Sequence, residues 1–455
     1  MEEYLKTVLS QIRCKKACPY IEEELRAHIM DQKEANLANG MDEEMAEHEA
    51  VKEMGDPVAT GISLDRIHKP KIAWGLVALI AMISLFGIIV HKYMCLKYGN
   101  IQDGIMIANS SKYTVSVLLG FVVMIVIYCL DYTRIAFLAK VLATVINLFL
   151  VACILFGAEI NGVTSTLYIA GIPISILVIM LLYVPIYGAV IYHYREMSYD
   201  GLIKCILWMV IPVGLTMKLP NFLLAMVLYV SMLVQLLLAI TKNWFRVSKK
   251  KANAGILCIM ILLPAIMIWL TLNFHFLGEF YEQRLLSYSI QTQNPDFLCT
   301  YYRSMIQSSV MFGMNETCLN ANGIFMENDY ILTYLISHYG VFVGIIACLM
   351  LAALILCMFR AMMKQKNQLG MVMGCGCGMI LIINAISFIF ENLGWMQRTQ
   401  SFFPFLSAGH NYVIISYALL GIVLSIYKYK NVYPEKISMK SYYVKLGVKG
   451  GVRCH

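Results

Sequence analysis

Residues 222–240 read FLLAMVLYVSMLVQLLLAI, nineteen residues without a single charge. A helix needs about 20 apolar residues to cross the ~30 Å hydrocarbon core of a bilayer. This block does not alternate apolar with polar residues, as a strand of a lipid-facing barrel would. Irregular backbone cannot face lipid, so a run of this kind predicts a transmembrane helix. The pattern recurs along the chain. Ten such segments lie near 72–92, 113–130, 134–157, 167–193, 201–218, 222–240, 254–275, 329–358, 370–390 and 409–427. The fold class that follows is all-α: a polytopic membrane protein of about ten transmembrane helices.

Composition agrees. Of 455 residues, 59% are apolar and only 14% charged, against about 25% charged in a water-soluble globule. The mean hydropathy is +0.68. Fourteen cysteines would suit a disulfide scaffold in a small secreted protein. Here most lie inside apolar segments, and no Cys/His set has zinc spacing. The run Gly374-Cys375-Gly376-Cys377-Gly378 looks like metal bait, but small residues on a span more often admit close helix contact. Thirty methionines fit an adaptable apolar core and need no cofactor.

Charge divides the chain. Residues 1–71 hold 10 Lys/Arg and 15 Asp/Glu, and the remainder 26 and 13. That shift places a domain boundary near Pro70 and excludes a cleavable signal peptide before the first span. In the acidic front segment, 1–70, the stripe Tyr4, Leu5, Val8, Leu9 and Ile12 predicts one helix, and Ile21, Leu25, His28 and Ile29 a second. Asp42 can cap a third running to Met54. Gly55-Asp56-Pro57 then breaks the chain before a fourth. The membrane domain covers 72–427, and a basic tail 428–455.

Basic loops set orientation. Lys242, Arg246, Lys249, Lys250 and Lys251, then Arg360, Lys364 and Lys366, and the tail all fall on one side of a ten-span chain. Both termini are therefore expected in the cytoplasm. Topology accounts for these charges without a nucleic acid as partner. On the other side lies the long segment 276–328, with only Arg284 and Arg303 as basic residues. Structureless loops of that length are usually functional or disordered. This one carries Phe280, Tyr281, Tyr288, Phe297, Tyr301 and Tyr302, which disordered segments lack. Its last residues, Glu327-Asn328-Asp329-Tyr330, lead into the eighth span. Asn328 or Asp329 can serve there as a helix N-cap. Alternatively, Asp329 can serve as a general base at the lipid interface.

Several motifs, taken in order, resemble the FtsW/RodA/SpoVE (SEDS) family of cell-wall polymerases. Tyr281-Glu282-Gln283-Arg284-Leu285 resembles the family's entry into its large outer loop. Tyr302-Arg303-Ser304 through Phe312-Gly313 resembles the middle of that loop. Glu327-Asn328-Asp329-Tyr330-Ile331-Leu332 is similar to "HTDFIF", with Gly340 and Gly344 following. Leu393-Gly394, then Phe403-Pro404-Phe405-Leu406-Ser407-Ala408-Gly409, resembles "LG…LPFISYGG". Ten spans with a large loop after the seventh is also the family's topology. The first half departs more. Asn161-Gly162 resembles "NGA(R/K)RW", but Ser165-Thr166 stand where the family has Arg-Trp. Leu219-Pro220-Asn221-Phe222 resembles "QPDLG" with Asn for Asp, and Ser337-His338 replace a Glu pair. In the front segment Glu23-Glu24-Leu25, His28-Ile29, Gly40-Met41, Met54-Gly55-Asp56-Pro57 and His68-Lys69-Pro70 resemble the prefix domain found before some bacterial permeases.

The resemblance implies a multi-pass protein of the bacterial plasma membrane that polymerises a lipid-linked peptidoglycan precursor outside the cell. Asp329 would be its catalytic base. Arg284 and Arg303 would contact pyrophosphate, and Ser407 and Gly409 would line the same cavity. A class B penicillin-binding protein would be its partner and membrane lipid its surroundings. A divalent cation could help the leaving group, although no dedicated ligand set is visible. The replaced residues keep open a non-catalytic scaffold or regulator of the same machinery. A transporter of a lipid-linked substrate is the third reading, weakened by the absence of matching internal repeats. Cys299 and Cys318 could be bridged or free. His338 and His410 are expected to bond within the bundle, and Glu391 and Arg398 to anchor the surface at the end of the ninth span.

Overall fold

The computed structural model describes residues 1–98, 110–160, 163–169, 172–219, 221–274, 297–314, 330–396, 399 and 401–437. Among them the chain is helical throughout, apart from one small sheet. The front segment folds into α1 (Glu2–Ser10), α2 (Cys18–Ala38), α3 (Glu43–Glu53) and α4 (Pro57–His68). The bundle follows: α5 (Trp74–Tyr98), α6 (Ser110–Cys129), α7 (Tyr132–Phe137), α8 (Ala139–Phe156), α9 (Ile176–His193), α10 (Tyr199–Lys218), α11 (Phe222–Thr241) and α12 (Lys249–Phe274). After these come α13 (Phe297–Ser308), α14 (Ile331–Tyr339), α15 (Val341–Met363), α16 (Gln368–Asn392) and α17 (His410–Lys428).

Nine described helices are long and apolar enough to cross a membrane, and α12, 26 residues long, covers the seventh apolar segment. The expected polytopic helical fold is therefore present. In α9, α11 and α17, 72% of the apolar window is buried, but only 28% in α6 and α8. The former make the centre of the bundle, and the latter present Leu118, Val122, Val145 and Leu148 outward, as lipid requires.

Three segment boundaries change. The segment read as 167–193 becomes a helix only at Ile176. Before it, β1 (Ala158–Ile160), β2 (Val163–Ile169) and β3 (Ile172–Ser175) form an antiparallel sheet in that order, with Leu167 opposite Ile174. Val163, Thr164, Thr166, Ile169 and Ile172 are β-branched and suit a pleated strand. Pro173 is tolerated because β3 is an edge. The segment 134–157 divides at Leu138, between α7 and α8. The segment 329–358 divides at Gly340, whose φ of +96° lies outside the helical region.

Two compact units emerge. One contains residues 1–73, 363–371 and 426 onward, and the other holds 74–362 and 372–425. In the first unit Tyr4, Leu5, Val8, Ile12, Ile21, Leu25 and Ile29 form the core of the front helices, while His28 is exposed. Asp42 occupies the cap position of α3 without a side-chain cap bond, whereas Asp56 accepts the Ala59 N–H at 2.7 Å and caps α4. The front helices engage the described start of the tail: Lys16 donates to the Tyr429 hydroxyl at 3.0 Å, and Tyr20 meets Tyr433 edge-on at 5.9 Å.

Within the larger unit the glycine run of α16 allows close packing. A Cβ on Gly376 would collide with the Gln235 amide, and one on Gly378 would lie 2.8 Å from the Phe359 ring. Gln235, fully buried in α11, donates across to the Val372 carbonyl at 3.0 Å. Such interhelical bonds hold spans together where no hydrophobic force distinguishes protein from lipid.

Candidate functional site

The segment 276–328 is not wholly irregular, because α13 lies within it. Two glycines let α13 and its continuation approach the membrane domain. Gly394, at φ +68°, follows α16, and a Cβ there would lie 2.5 Å from the Cys299 carbonyl and 2.9 Å from the Arg303 nitrogen. Gly340 lets residues 310–313 pair with the break between α14 and α15. There Gly313 N donates to Tyr339 O at 3.2 Å, and Val341 N to Val310 O at 3.0 Å. Tyr302 of α13 stacks on Tyr330 at 3.8 Å, with both rings buried. Cys299 Sγ approaches the Met396 carbonyl at 3.4 Å. Arg303 itself is exposed.

The start of α14 is capped from another helix. The first helical residue is Ile331, and Tyr330 at the cap position makes no side-chain cap bond. The Thr333 N–H donates to Asn392 Oδ1 at 3.1 Å, and the Thr333 hydroxyl donates to the Asn392 carbonyl at 2.7 Å. The third orphan donor of α14 is thus satisfied by α16. Further along α14, His338 is buried, lies 3.0 Å from the Ser337 hydroxyl and stacks on Tyr334 at 4.3 Å.

Glu391 corrects the expectation of a surface anchor. It is 2% exposed. Its carboxylate accepts the Thr399 N–H at 3.1 Å, the Thr399 hydroxyl at 3.0 Å and the Ser401 hydroxyl. A buried carboxylate requires such partners, and here they pull the chain after α16 back onto its end.

That chain then forms a buried turn over Ser401–Gly409. Ser407 is buried. Its hydroxyl accepts the Phe403 N–H at 2.7 Å, so it closes the turn. Phe405 adopts φ +68°. The carbonyls at the crown are satisfied from two spans: Tyr113 donates to Phe405 O at 2.6 Å, and His91 Nε2 lies 2.8 Å from Leu406 O. Gly409 lies against the Tyr412 ring, where a Cβ would come within 2.7 Å. His410 Nδ1 pairs with the Ser116 hydroxyl.

Beside this turn lies a small cleft, lined by Leu177, Leu181, Asn221, Leu224, Asn384, Phe402 and Tyr412 among others. It lies where α9, α11 and α17 begin and α16 nears its end. Tyr412 stacks on Phe402 at 4.9 Å and 9°. Asn221 is the cap of α11, with Oδ1 accepting the Leu224 N–H at 3.0 Å. An amide serves that cap as well as an aspartate would, but cannot carry a proton. Ser407 and Gly409 are not among the cleft's lining residues.

Asp329, Arg284, Cys318, Arg398 and Asn161-Gly162 lie outside the described residues. Among the described residues no three His, Cys, Asp or Glu side chains gather as a metal site.

The FtsW/RodA/SpoVE family model, described as "Cell cycle protein", matches residues 71–432. The chain belongs to the FtsW/RodA/SpoVE family. Solved structures share its fold. One, from work on the structural coordination of polymerization and crosslinking by a peptidoglycan synthase complex, superposes with a TM-score of 0.62 at 19% identity, covering 79% of this chain and 98% of that one. The rod shape determining protein RodA of Thermus thermophilus superposes at 0.53, and an aspartate-to-alanine mutant of it at 0.54. Both are 16% identical over 79% of this chain, covering 97% and 98% of their own. No curated protein matches. In this FtsW/RodA/SpoVE member, sequence reasoning missed His91, Tyr113 and Asn392. Polar residues in or beside apolar segments were the available signal.

Proposed function

We propose that this chain works in bacterial cell-wall synthesis by joining lipid-linked disaccharide precursors into glycan strands. Asp329 acts as general base. It takes the proton of the acceptor sugar hydroxyl. The freed oxygen bonds to the donor's anomeric carbon, and the bond from that carbon to pyrophosphate breaks, releasing undecaprenyl pyrophosphate. Family membership supports the general role. With α14 starting at Ile331 and Tyr330 at its cap position, the base role of Asp329 rests on the motif 327–332 to which it belongs. The cleft's leucine, phenylalanine and tyrosine walls match in chemistry the apolar chain of such a substrate. Arg284 and Arg303 are the pyrophosphate contacts of this reading. A divalent cation would assist the departure of pyrophosphate in this reading, and no step above requires one. A class B penicillin-binding protein is the proposed partner, by analogy with the peptidoglycan synthase complex whose structure this chain resembles.

A second reading, a non-catalytic scaffold or regulator, is favoured by Ser165-Thr166 and Asn221 at positions where the family has Arg-Trp and Asp. One assay separates them. Purified protein, with and without the partner, is given lipid-linked disaccharide and the products are run on a gel. Glycan ladders from wild type and none from Asp329→Ala are expected. Ladders from both would remove Asp329 from its role, and ladders from neither would favour the scaffold.

A further inference from the structure

The end of the bundle opposite the cleft carries a second cluster, on α8, α9 and α10. Tyr194 caps α9. Its hydroxyl accepts the Trp208 indole N–H at 3.2 Å, which fixes the ring and leaves its own O–H free to donate. Two ammonium groups from different helices rest against that ring. Lys140 Nζ lies 4.3 Å from its centroid and Lys204 Nζ 6.0 Å.

The neighbouring cation is treated differently. Arg195 lies over the Tyr192 ring at 4.7 Å, donates to the Tyr192 hydroxyl at 2.6 Å and pairs with Glu196 at 3.3 Å. Lys140 and Lys204 have no carboxylate within 4.0 Å among the described residues, even though Asp200 precedes Lys204 by one helical turn. The adjoining loop is tied in by its backbone: Glu196 N donates to Trp244 O at 2.6 Å, and Arg246 N to Met197 O at 2.9 Å. Arg246 and Lys249, Lys250 and Lys251 are exposed at the same end.

Two like charges sharing one aromatic ring repel each other, and cation–π attraction offsets this only in part. An anion reached by both ammoniums resolves the conflict. Lys140 stands in the first turn of α8 and Lys204 in the second turn of α10, near the depth where aromatic residues meet lipid headgroups. Basic pockets between spans hold the phosphates of anionic lipids. We propose that Lys140, Lys204 and the Tyr194 hydroxyl bind the phosphate of an anionic phospholipid, so that one lipid bridges α8 and α10 across the end of α9. This site is independent of whether the chain polymerises glycan.

The test uses the full chain in detergent, with lipid binding read by native mass spectrometry. Phosphatidylglycerol should be retained at least tenfold better than phosphatidylcholine. The double variant Lys140→Gln/Lys204→Gln should lose that preference, the Lys→Arg pair should keep it, and Lys364→Gln should match wild type. Tyr194→Phe keeps the ring and should weaken retention severalfold. It carries the test if the double variant fails to fold. Equal retention of the two lipids, or an unchanged double glutamine variant, overturns the proposal. Displacement of phosphatidylglycerol by millimolar inorganic phosphate would show a free-anion site instead and overturn the lipid assignment.

Discussion

Asn392 Oδ1 accepts the Thr333 N–H at 3.1 Å, while the Asn392 carbonyl accepts the Thr333 hydroxyl at 2.7 Å. Both residues are fully buried. The end of α16 therefore fixes where α14 begins, and with it the point at which the chain beyond Asp329 turns helical. Asn392→Leu would leave the N–H without an acceptor, a loss of roughly 1–3 kcal/mol for a buried donor. Thermal or denaturant unfolding in detergent should show it. Asn392→Asp keeps an acceptor for Thr333 but sets a buried carboxylate oxygen where Nδ2 now donates to the Phe388 carbonyl at 3.0 Å, so it should be destabilised as well. A leucine variant as stable as wild type would mean that the cap carries no weight.

Gly394→Ala and Gly255→Ala should differ in sign. At Gly394 the φ of +68° is strained for alanine, and the added carbon would press on the Cys299 carbonyl. The expected destabilisation exceeds about 1 kcal/mol. Gly255 lies in the interior of α12 with nothing within 4 Å of an added Cβ, so alanine should be neutral or stabilising there by up to about 1 kcal/mol. Paired melting curves of the two variants check this. Similar shifts for both would sink the account of Gly394 as the seat of α13.

The front helices carry a pH dependence with a definite sign. Asp65 accepts the Arg13 N–H at 2.9 Å and the guanidinium at 2.9 and 2.7 Å. The Arg13 side chain, then its backbone N–H, hold the Asp65 carboxyl below its ordinary range. A carboxyl lowered in the folded state contributes stability above its unfolded pKa, about 3.9, and loses it as pH falls through the folded value. Asp65→Asn should therefore weaken the front segment at neutral pH. The gap from wild type should close as pH drops below about 4. Acid titration of its protease resistance, with an acid-active protease, measures that gap. A gap independent of pH would refute the assignment.

The spans were legible because lipid thickness sets a length that any apolar run must meet, and 222–240 meets it without help from context. The strand at 163–169 was not legible. A short apolar run reads alike as strand or helix, and only its pairing with Ile172–Ser175 decides. Gly340 reads in the sequence as a motif residue, but its role as a break depends on Val310 and Met311, about thirty residues earlier in the chain. Glu391 looked like a surface charge at the end of a span. Its burial depends on Thr399 and Ser401 folding back, which no periodicity encodes. His91 and Tyr113 show in the sequence only as polar residues in or beside spans, because the carbonyls they bond lie about 300 residues away and a carbonyl leaves no mark in a sequence. The order of the motifs, by contrast, pointed to the right family where single motifs would not have done.

The bond from Gly313 to Tyr339 makes the intervening chain a ring, leaving and returning at the same point on the protein. Ring closure is tolerant of size: doubling such a loop costs only about 0.6 kcal/mol. A few residues inserted before Asp329 would therefore leave folding almost untouched. They would nonetheless change the number of residues between Asp329 and the Gly313 anchor, so the bond to Tyr339 makes that number a ruler.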